Sequence, residues 1–128
     1  MARLWWITLL LWRTRLTKVA EPLQQYVNAI TPALSCSFSD APLMAIDLEM
    51  TGLDPTSDQV ISIGLVPIIN GEIPLAKAQH LMIAINGSVG QSATVHGIVD
   101  NQLQSALTLA EAMQWFLLQT KGHILVAH

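Results

Sequence analysis

The sequence predicts an α/β domain built around a mixed sheet. Three strand-like segments follow one another through short turns, which favours antiparallel pairing between neighbours. A capped helix then leads to a fourth strand-like segment, and a helical crossover of this kind places the fourth strand parallel to the first. We therefore expect residues 43–128 to form this domain, with residues 1–42 as a helical N-terminal extension and a linker.

The N-terminal extension carries an apolar stripe at alternating steps of four and three residues: Trp5, Leu9, Trp12, Leu16, Val19, Leu23, Tyr26 and Ile30. This spacing predicts one helix, or two helices interrupted near Pro22. Two interpretations stay open: the extension packs on the domain, or residues 3–30 contact a membrane surface or a partner protein. The apolar run at 4–12 is shorter than the roughly 20 residues of a spanning helix. We therefore expect a cytoplasmic protein, either free or peripherally associated with a membrane.

The first three strands are predicted from apolar runs separated by turn formers. The runs are LMAIDLEM at 43–50, VISIGLVPII at 60–69 and HLMIAIN at 80–86. The first turn is TGLDPTSD, which is rich in Gly, Pro, Asp, Ser and Thr. Asn70-Gly71 then provides a strong hairpin turn after the second strand. The three strands are expected to form an antiparallel meander.

The crossover helix has clear start and stop signals. Thr108 followed three residues later by Glu111 fits a capping box, and Gly122 directly after Lys121 is a typical helix stop. HILVAH at 123–128 follows as an apolar fourth strand.

Charge is divided unevenly along the chain. Four of the six bases lie in the first eighteen residues, so the remainder carries only Lys77 and Lys121 against nine acids, a net charge of −7. An acidic body repels a polyanionic substrate unless its charge is neutralised locally. Divalent metal ions would neutralise it, and so would basic residues that this stretch lacks.

Two acids interrupt the first strand. Residues two apart in a strand point to the same face, so Asp47 and Glu49 project side by side. Two adjacent carboxylates repel each other unless a cation lies between them, and hard divalent ions prefer such oxygen ligands. The alternative is a pair of solvated acids on an edge strand. The apolar neighbours and the turn at Thr51-Gly52 favour the metal interpretation, because sites in α/β sheets lie at the carboxyl ends of strands.

Three segments, taken together and in this order, resemble the DEDD 3′–5′ exonucleases, in the branch of the DNA polymerase III epsilon proofreading subunit. They are IDLEMTGLDP, which resembles the first exonuclease motif, ATVHGIVDNQL at 93–103, and HILVAH, which resembles the strand that opens the second motif. The resemblance implies a ribonuclease H-like fold. It also implies that the chain is an N-terminal portion, truncated before the fifth strand of that fold.

The same resemblance implies a site with two Mg²⁺ or Mn²⁺ ions. Asp47 would bridge the two ions and Glu49 would hold the one that carries the nucleophilic water. The residues that match the family's substrate contacts are Met50, Thr51, Gly52, Leu53 and, in the HGI segment, His96. The family uses four carboxylates, of which this chain supplies two, so we expect the chain to be inactive alone.

The function implied is metal-dependent 3′–5′ hydrolysis of phosphodiester bonds, on the 3′ ends of single-stranded or frayed DNA, or on RNA. One alternative is an oligoribonuclease that degrades short RNA, which the DLEMTGLD segment resembles more closely at Met50. Another is a non-catalytic truncated module that docks on a membrane or partner through its N-terminal helix.

Overall fold

A four-stranded sheet forms the centre of the protein, whose computed structural model describes residues 21–127. The strands are β1 (Leu43–Met50), β2 (Val60–Ile68), β3 (Gln79–Met82) and β4 (Ile124–Ala127). They lie in the order β3-β2-β1-β4. β2 pairs antiparallel with both β1 and β3, whereas β4 pairs parallel with β1. The predicted fold class, a ribonuclease H-like α/β sheet with an N-terminal helix, is confirmed.

The helices are α1 (Glu21–Ile30), α2 (Ala93–His96) and α3 (Leu109–Gln119), with 3-10 turns at Ala33–Ser35, Leu75–Lys77, Gly90–Ser92 and Asp100–Leu103. Pro22 lies in the first turn of α1, where its missing N–H is tolerated. Helix α1 packs against α3. Burial raises the pKa of the Tyr26 hydroxyl on α1, although its hydrogen bond with Thr120 opposes that shift.

Only part of the predicted N-terminal stripe falls on α1. Its members from Trp5 to Val19 lie outside the described residues, as does the basic cluster at residues 3–18. Leu23, Tyr26 and Ile30 lie on α1, in the part of the extension that packs on the domain. Contact of residues 3–30 with a membrane or a partner stays a prediction, and so does the domain boundary at 42–43. Across residues 21–127, no helix is both long enough and apolar enough to cross a bilayer.

Helix α3 covers one face of the sheet. Its fully buried Ala112 and the half-buried Trp115 and Phe116 recur at helical spacing and pack on the sheet. This core also contains Met44, Ile63 and Leu65 of the sheet and Ile83, which directly follows β3. In β1 this is the face of the even-numbered residues, so the odd-numbered Asp47 and Glu49 project from the opposite face.

The predicted capping box starts α3. The Thr108 hydroxyl accepts a hydrogen bond from the Glu111 N–H at 3.3 Å, and the Glu111 carboxylate accepts one from the Thr108 N–H at 2.9 Å. The hydrogen bonds from Thr108 hold the pKa of the Glu111 carboxyl below its usual range. Gly122 follows α3 with φ of +81°, a left-handed conformation that suits the predicted stop.

Acid should therefore destabilise the protein partly through Glu111. A carboxyl whose pKa is lowered in the folded state stabilises the fold above its unfolded pKa, near 4.3, and loses that contribution as the pH falls towards the lowered value. We expect Tm to fall more steeply below about pH 4.5 in the parent chain than in Glu111→Gln, since glutamine caps without titrating. Calorimetry across this pH range measures the two slopes, and equal slopes would contradict the assignment.

The third strand is shorter than predicted. It ends at Met82, whereas the apolar run predicts a strand from 80 to 86. Ile83 still donates its N–H to the carbonyl of Ile61 on β2, but the Ala84 N–H donates to the carbonyl of Leu107, so the chain leaves β2 after Ile83. On β2, a register shift opposite Glu49 and Met50 leaves Ile61 as an extra residue without a partner in β1. Ile61 packs in a second cluster with Val89, Ile98 and Leu103.

Candidate active site

Asp47 and Glu49 lie near the carboxyl end of β1. They share one face of the strand, as the period-two pattern predicts. Asp47 pairs with Gly64 of β2 and Glu49 pairs with Ser62. On the other side of β1, the parallel ladder runs from Leu43 opposite Ile124 to Ile46 opposite Ala127, one residue before Asp47. The carboxyl ends of the two parallel strands thus meet at the edge where the acids project, which is the usual place for a site in such a sheet.

A β-bulge follows the acid pair directly. The register of β1 against β2 shifts between Glu49 and Met50. Such bulges locally bend the strand and often lie next to active sites. The bulge here ends the regular ladder, so the chain after Met50 can turn away from the sheet.

Among the residues that the structure describes, the carboxylates of the acid pair differ from most others in accepting no hydrogen bond from the protein. Six of the nine acids accept hydrogen bonds from neighbouring residues: Glu21, Asp40, Asp54, Asp58, Asp100 and Glu111. Within residues 21–127, none is recorded for Asp47, Glu49 or Glu72. Asp47 is exposed and Glu49 is half-buried. The local fold therefore makes no use of this carboxylate pair, which leaves its oxygens available to an external ligand.

The donor set fits a hard divalent cation in part. Two carboxylates on one face supply the oxygen ligands that Mg²⁺ and Mn²⁺ take. Within residues 21–127, no group of three or more His, Cys, Asp or Glu side chains is arranged to hold a metal. Asp47 and Glu49 alone thus represent the partial ligand set that the sequence predicts, and their metal role stays a prediction.

A shallow groove of about 250 Å³ lies beside Asp47. Gly64, the cross-strand partner of Asp47, has no side chain to fill it. A Cβ built on Gly64 would make only ordinary contacts, at 3.8 Å or more from Asp47 atoms. The neighbouring lining is small or apolar and includes Ala45, Val66 and Ala78. A ligand therefore has room to approach the Asp47 side chain.

The predicted substrate contacts at 50–53 follow the acid pair along the chain. Met50 is the last residue of β1 and is half-buried. Thr51 and Gly52 are also half-buried, whereas the Leu53 side chain is 89% exposed. The structure thus brings these four residues next to Glu49 in the chain and presents one apolar side chain to solvent. Their contact with substrate stays a prediction.

His96 has a different environment. Its Nδ1 accepts a hydrogen bond from the Ile98 N–H at 3.0 Å, so in the neutral ring Nε2 carries the proton and donates it to the Ser92 hydroxyl at 3.0 Å. Ser92 in turn donates to the Val89 carbonyl at 2.6 Å. Both ring nitrogens of His96 are therefore used within the 89–98 turn. Its contact with substrate stays a prediction.

Two residues near the acid pair were not predicted from the sequence. Gly64 looks like an ordinary strand residue until the register places it opposite Asp47. Asp58 looks like one more turn former, yet its carboxylate accepts hydrogen bonds from Thr51 and Asp54. In the sequence, Asp58 is an acid seven residues after Thr51, in a stretch rich in turn formers. That pattern alone is too common to predict the contact.

Comparison with known proteins agrees with this geometry. The exonuclease family model of the RNase T type matches residues 44–128. The PolC-type DNA polymerases III of Thermotoga petrophila and Thermotoga maritima are each 33% identical over 93 residues, which cover 72% of this chain. A DNA polymerase III subunit epsilon-like protein of Rhodobacter capsulatus is 31% identical over 87 residues, or 66% of this chain.

The chain covers a small part of these relatives. The matched region amounts to 7% of each Thermotoga protein and 12% of the Rhodobacter protein. The similarity therefore identifies one domain and leaves the activity, substrates and partners of the whole proteins open.

Proposed function

This chain belongs to the exonuclease family of the RNase T type, in its epsilon-like branch, and we propose that it serves 3′–5′ hydrolysis of phosphodiester bonds in nucleic acid. Asp47 and Glu49 would hold divalent ions. When bound, such ions supply an activated water and neutralise charge at the leaving oxygen. The observation that carries this proposal is the carboxylate pair at the shared carboxyl ends of β1 and β4, for which residues 21–127 supply no hydrogen-bond donor.

The charge around the pair supports metal dependence. No Lys or Arg occurs between residues 19 and 76, whereas five acids do between 47 and 72: Asp47, Glu49, Asp54, Asp58 and Glu72. A phosphate approaching this edge meets negative charge, and the stretch of chain from 19 to 76 holds no Lys or Arg to offset it. Mg²⁺ or Mn²⁺ would offset that charge locally, so a nucleic acid should bind here only with the metal.

The predicted turn at 51–53 is proposed to bind the 3′-terminal nucleotide. Backbone groups of Thr51 and Gly52 would face the sugar and phosphate, and the exposed Leu53 side chain would contact the base. Apolar contact with a base face is tolerant of base identity, which suits an enzyme that removes nucleotides in succession. The DNA 3′ end is the first substrate to test, and RNA is the alternative.

A ladder assay tests the proposal. The full chain and the open reading frame read past His128 are incubated with single-stranded DNA labelled at its 5′ end, with Mg²⁺, with Mn²⁺ or with EDTA. We expect stepwise shortening from the 3′ end by the longer product with either metal, and none with EDTA. RNA of the same sequence separates the oligoribonuclease alternative. Failure of the longer product to shorten either polymer would contradict the enzymatic proposal and favour the non-catalytic module.

A further inference from the structure

One carboxylate links two parts of the loop that follows the acid pair. Asp58 Oδ1 accepts a hydrogen bond from the Thr51 hydroxyl at 2.9 Å, and Oδ2 accepts one from the Asp54 N–H at 2.9 Å. The side chain therefore joins the start of the loop to its middle. Asp58 itself is half-buried, at the end of the loop and two residues before β2 begins.

Gly52 leaves the space that Asp58 fills. A Cβ built on Gly52 would lie within 3.0 Å of three atoms of the Asp58 carboxyl group, including Cγ at 2.7 Å and Oδ1 at 2.8 Å. Any larger residue at 52 would push the carboxylate away and break its bonds to Thr51 and Asp54. The φ of Gly52 does not lie in the left-handed region, so the glycine is needed for close approach rather than for backbone conformation.

Thr51 connects this closure to β2. Its N–H donates to the Gln59 carbonyl at 2.9 Å, and its hydroxyl oxygen accepts the Gln59 N–H at 3.0 Å while donating to Asp58. The Gln59 side chain extends the connection by two hydrogen bonds with the backbone of Asn86, at 2.9 and 3.0 Å. Thr51 is thus held at both its backbone and its hydroxyl, directly after the acid-bearing strand.

The consequence appears at Leu53. Its side chain is 89% exposed although the residue lies between Gly52 and Asp54, both of which contact Asp58. An apolar side chain held in water by a hydrogen-bonded loop does not contribute to the described core. The hydrogen bonds on either side constrain the backbone that carries Leu53, which lowers the backbone entropy lost when a ligand contacts it.

We propose that Asp58 is a positioning residue, which interlocks with Gly52 to hold the Thr51–Leu53 turn in the conformation that receives the terminal nucleotide. This proposal rests on the function proposed above. Both carboxylate oxygens of Asp58 are already used by donors within the loop. The proposal therefore gives Asp58 its role through these hydrogen bonds. Each oxygen keeps a free lone pair, so a further metal ligand is the alternative role that the variants below separate from positioning.

Asparagine distinguishes these two roles. In Asp58→Asn the amide oxygen can accept the Asp54 N–H, and the amide nitrogen can donate to the Thr51 oxygen once that hydroxyl rotates. The closure is then kept while the charge is lost. Asp58→Ala loses both. Asp54→Ala is the matched control, because the Asp54 carboxylate bonds to Thr56 and not to Thr51.

A thermal double-mutant cycle tests the interlock without any assay of function. We expect Gly52→Ala to lower Tm by about 6 °C in the parent chain and by less than about 2 °C in Asp58→Ala, because the clash disappears with the carboxylate. Gly64→Ala is the control glycine, since its added Cβ makes ordinary contacts at 3.8 Å or more. Equal shifts from Gly52→Ala in the two backgrounds would overturn the interlock.

Binding measurements on the full chain test the positioning role. The probes are Mn²⁺ alone, followed by EPR, and a fluorescent single-stranded DNA with a 3′-terminal phosphorothioate, added with Mn²⁺. We expect Asp58→Ala to weaken DNA binding roughly 10-fold, with Asp58→Asn and Asp54→Ala within about threefold of the parent. Affinity for Mn²⁺ alone should stay within about twofold in all variants, because Asp47 and Glu49 are unchanged.

Different outcomes would contradict the positioning role of Asp58 and the proposed exonuclease function. A parent chain that binds Mn²⁺ and DNA, with an Asp58→Ala variant that binds DNA equally well, would overturn the positioning role alone. Loss of DNA binding in Asp58→Asn as large as in Asp58→Ala would also overturn it, because charge and not closure would then matter. A parent chain that binds no DNA with Mn²⁺ would instead contradict the proposed function, and the positioning role would fall with it.

Discussion

Replacing Asp47 or Glu49 by alanine is expected to lower metal-dependent hydrolysis by about 1,000-fold or more, equivalent to about 4 kcal/mol of transition-state stabilisation. Each carboxylate would supply oxygen ligands that the described residues do not otherwise provide, since no group of three metal-binding side chains occurs within 21–127. Loss of one ligand also leaves less charge to balance the ions. The measurement is the initial rate of 3′ shortening with Mg²⁺, using the open reading frame that contains this chain.

Glu72→Ala is the matched control for these two variants. The Glu72 carboxylate, like those of the pair, accepts no hydrogen bond within the described residues, but Glu72 lies at the hairpin turn that follows Asn70 and Gly71, away from the end of β1. We expect its activity to stay within about twofold of the parent, as is usual for a surface substitution. Activity near that of the parent in both Asp47→Ala and Glu49→Ala would contradict the site assignment.

The thermal stability of the same variants tests the role of the acid pair independently of activity. A carboxylate kept for ligand binding rather than for folding should contribute little to the fold when the ligand is absent. Without metal, we expect Asp47→Ala and Glu49→Ala to melt at or above the Tm of the parent, since the repulsion between adjacent like charges is relieved. In the presence of Mn²⁺ the parent should gain thermal stability and the variants should not.

The position of the acid pair was predictable because it depends on local periodicity. A strand alternates its side chains strictly, so Asp47 and Glu49 had to share a face wherever LMAIDLEM formed a strand. The parallel pairing of β4 was likewise predictable. The capped helix that begins at Leu109 is the kind of crossover connection that returns the chain to a sheet as a parallel strand. Both predictions rest on patterns within a single continuous stretch of the chain, and both are confirmed by the strand pairing.

The features that were not predicted depend on contacts between distant segments. HLMIAIN has the composition of a seven-residue strand, but β3 ends at Met82 and the Ala84 N–H donates to the carbonyl of Leu107, outside β2. The Asp58 closure depends on how closely the carboxylate approaches Gly52, which no local pattern specifies. A bulge and a close approach are properties of paired segments, so propensity along one segment cannot show them.

The predicted contact of His96 illustrates the same limit at a candidate site residue. The HGI segment identifies the histidine by its neighbours in sequence, and the structure shows that its two ring nitrogens bond to Ser92 and Ile98. A histidine used at both nitrogens can still present a ring face to a substrate. Its role is therefore separable from that of the acid pair, which has no protein partner at all among the described residues.

Leu65→Ala is expected to destabilise the protein by about 3 kcal/mol, the middle of the range for a buried leucine. Leu65 of β2 is 2% exposed and pairs with Ile46 of β1, the residue before Asp47. It belongs to the cluster that α3 covers through Ala112, and its truncation would leave a cavity between helix and sheet. A small domain is stable by about 5–15 kcal/mol in total, so this loss is a large fraction.

Urea denaturation measures this effect, with Leu118→Ala as the matched control. Leu118 lies on α3 but is 68% exposed, so the same truncation there should change stability by less than about 0.5 kcal/mol. An equal loss in the two variants would show that the sheet and α3 do not form the core described. Leu65 lies opposite Ile46, the residue before Asp47 in β1, so we expect the cavity to loosen the strand that carries Asp47. We therefore expect Leu65→Ala, but not Leu118→Ala, to weaken Mn²⁺ binding under conditions where both variants remain folded.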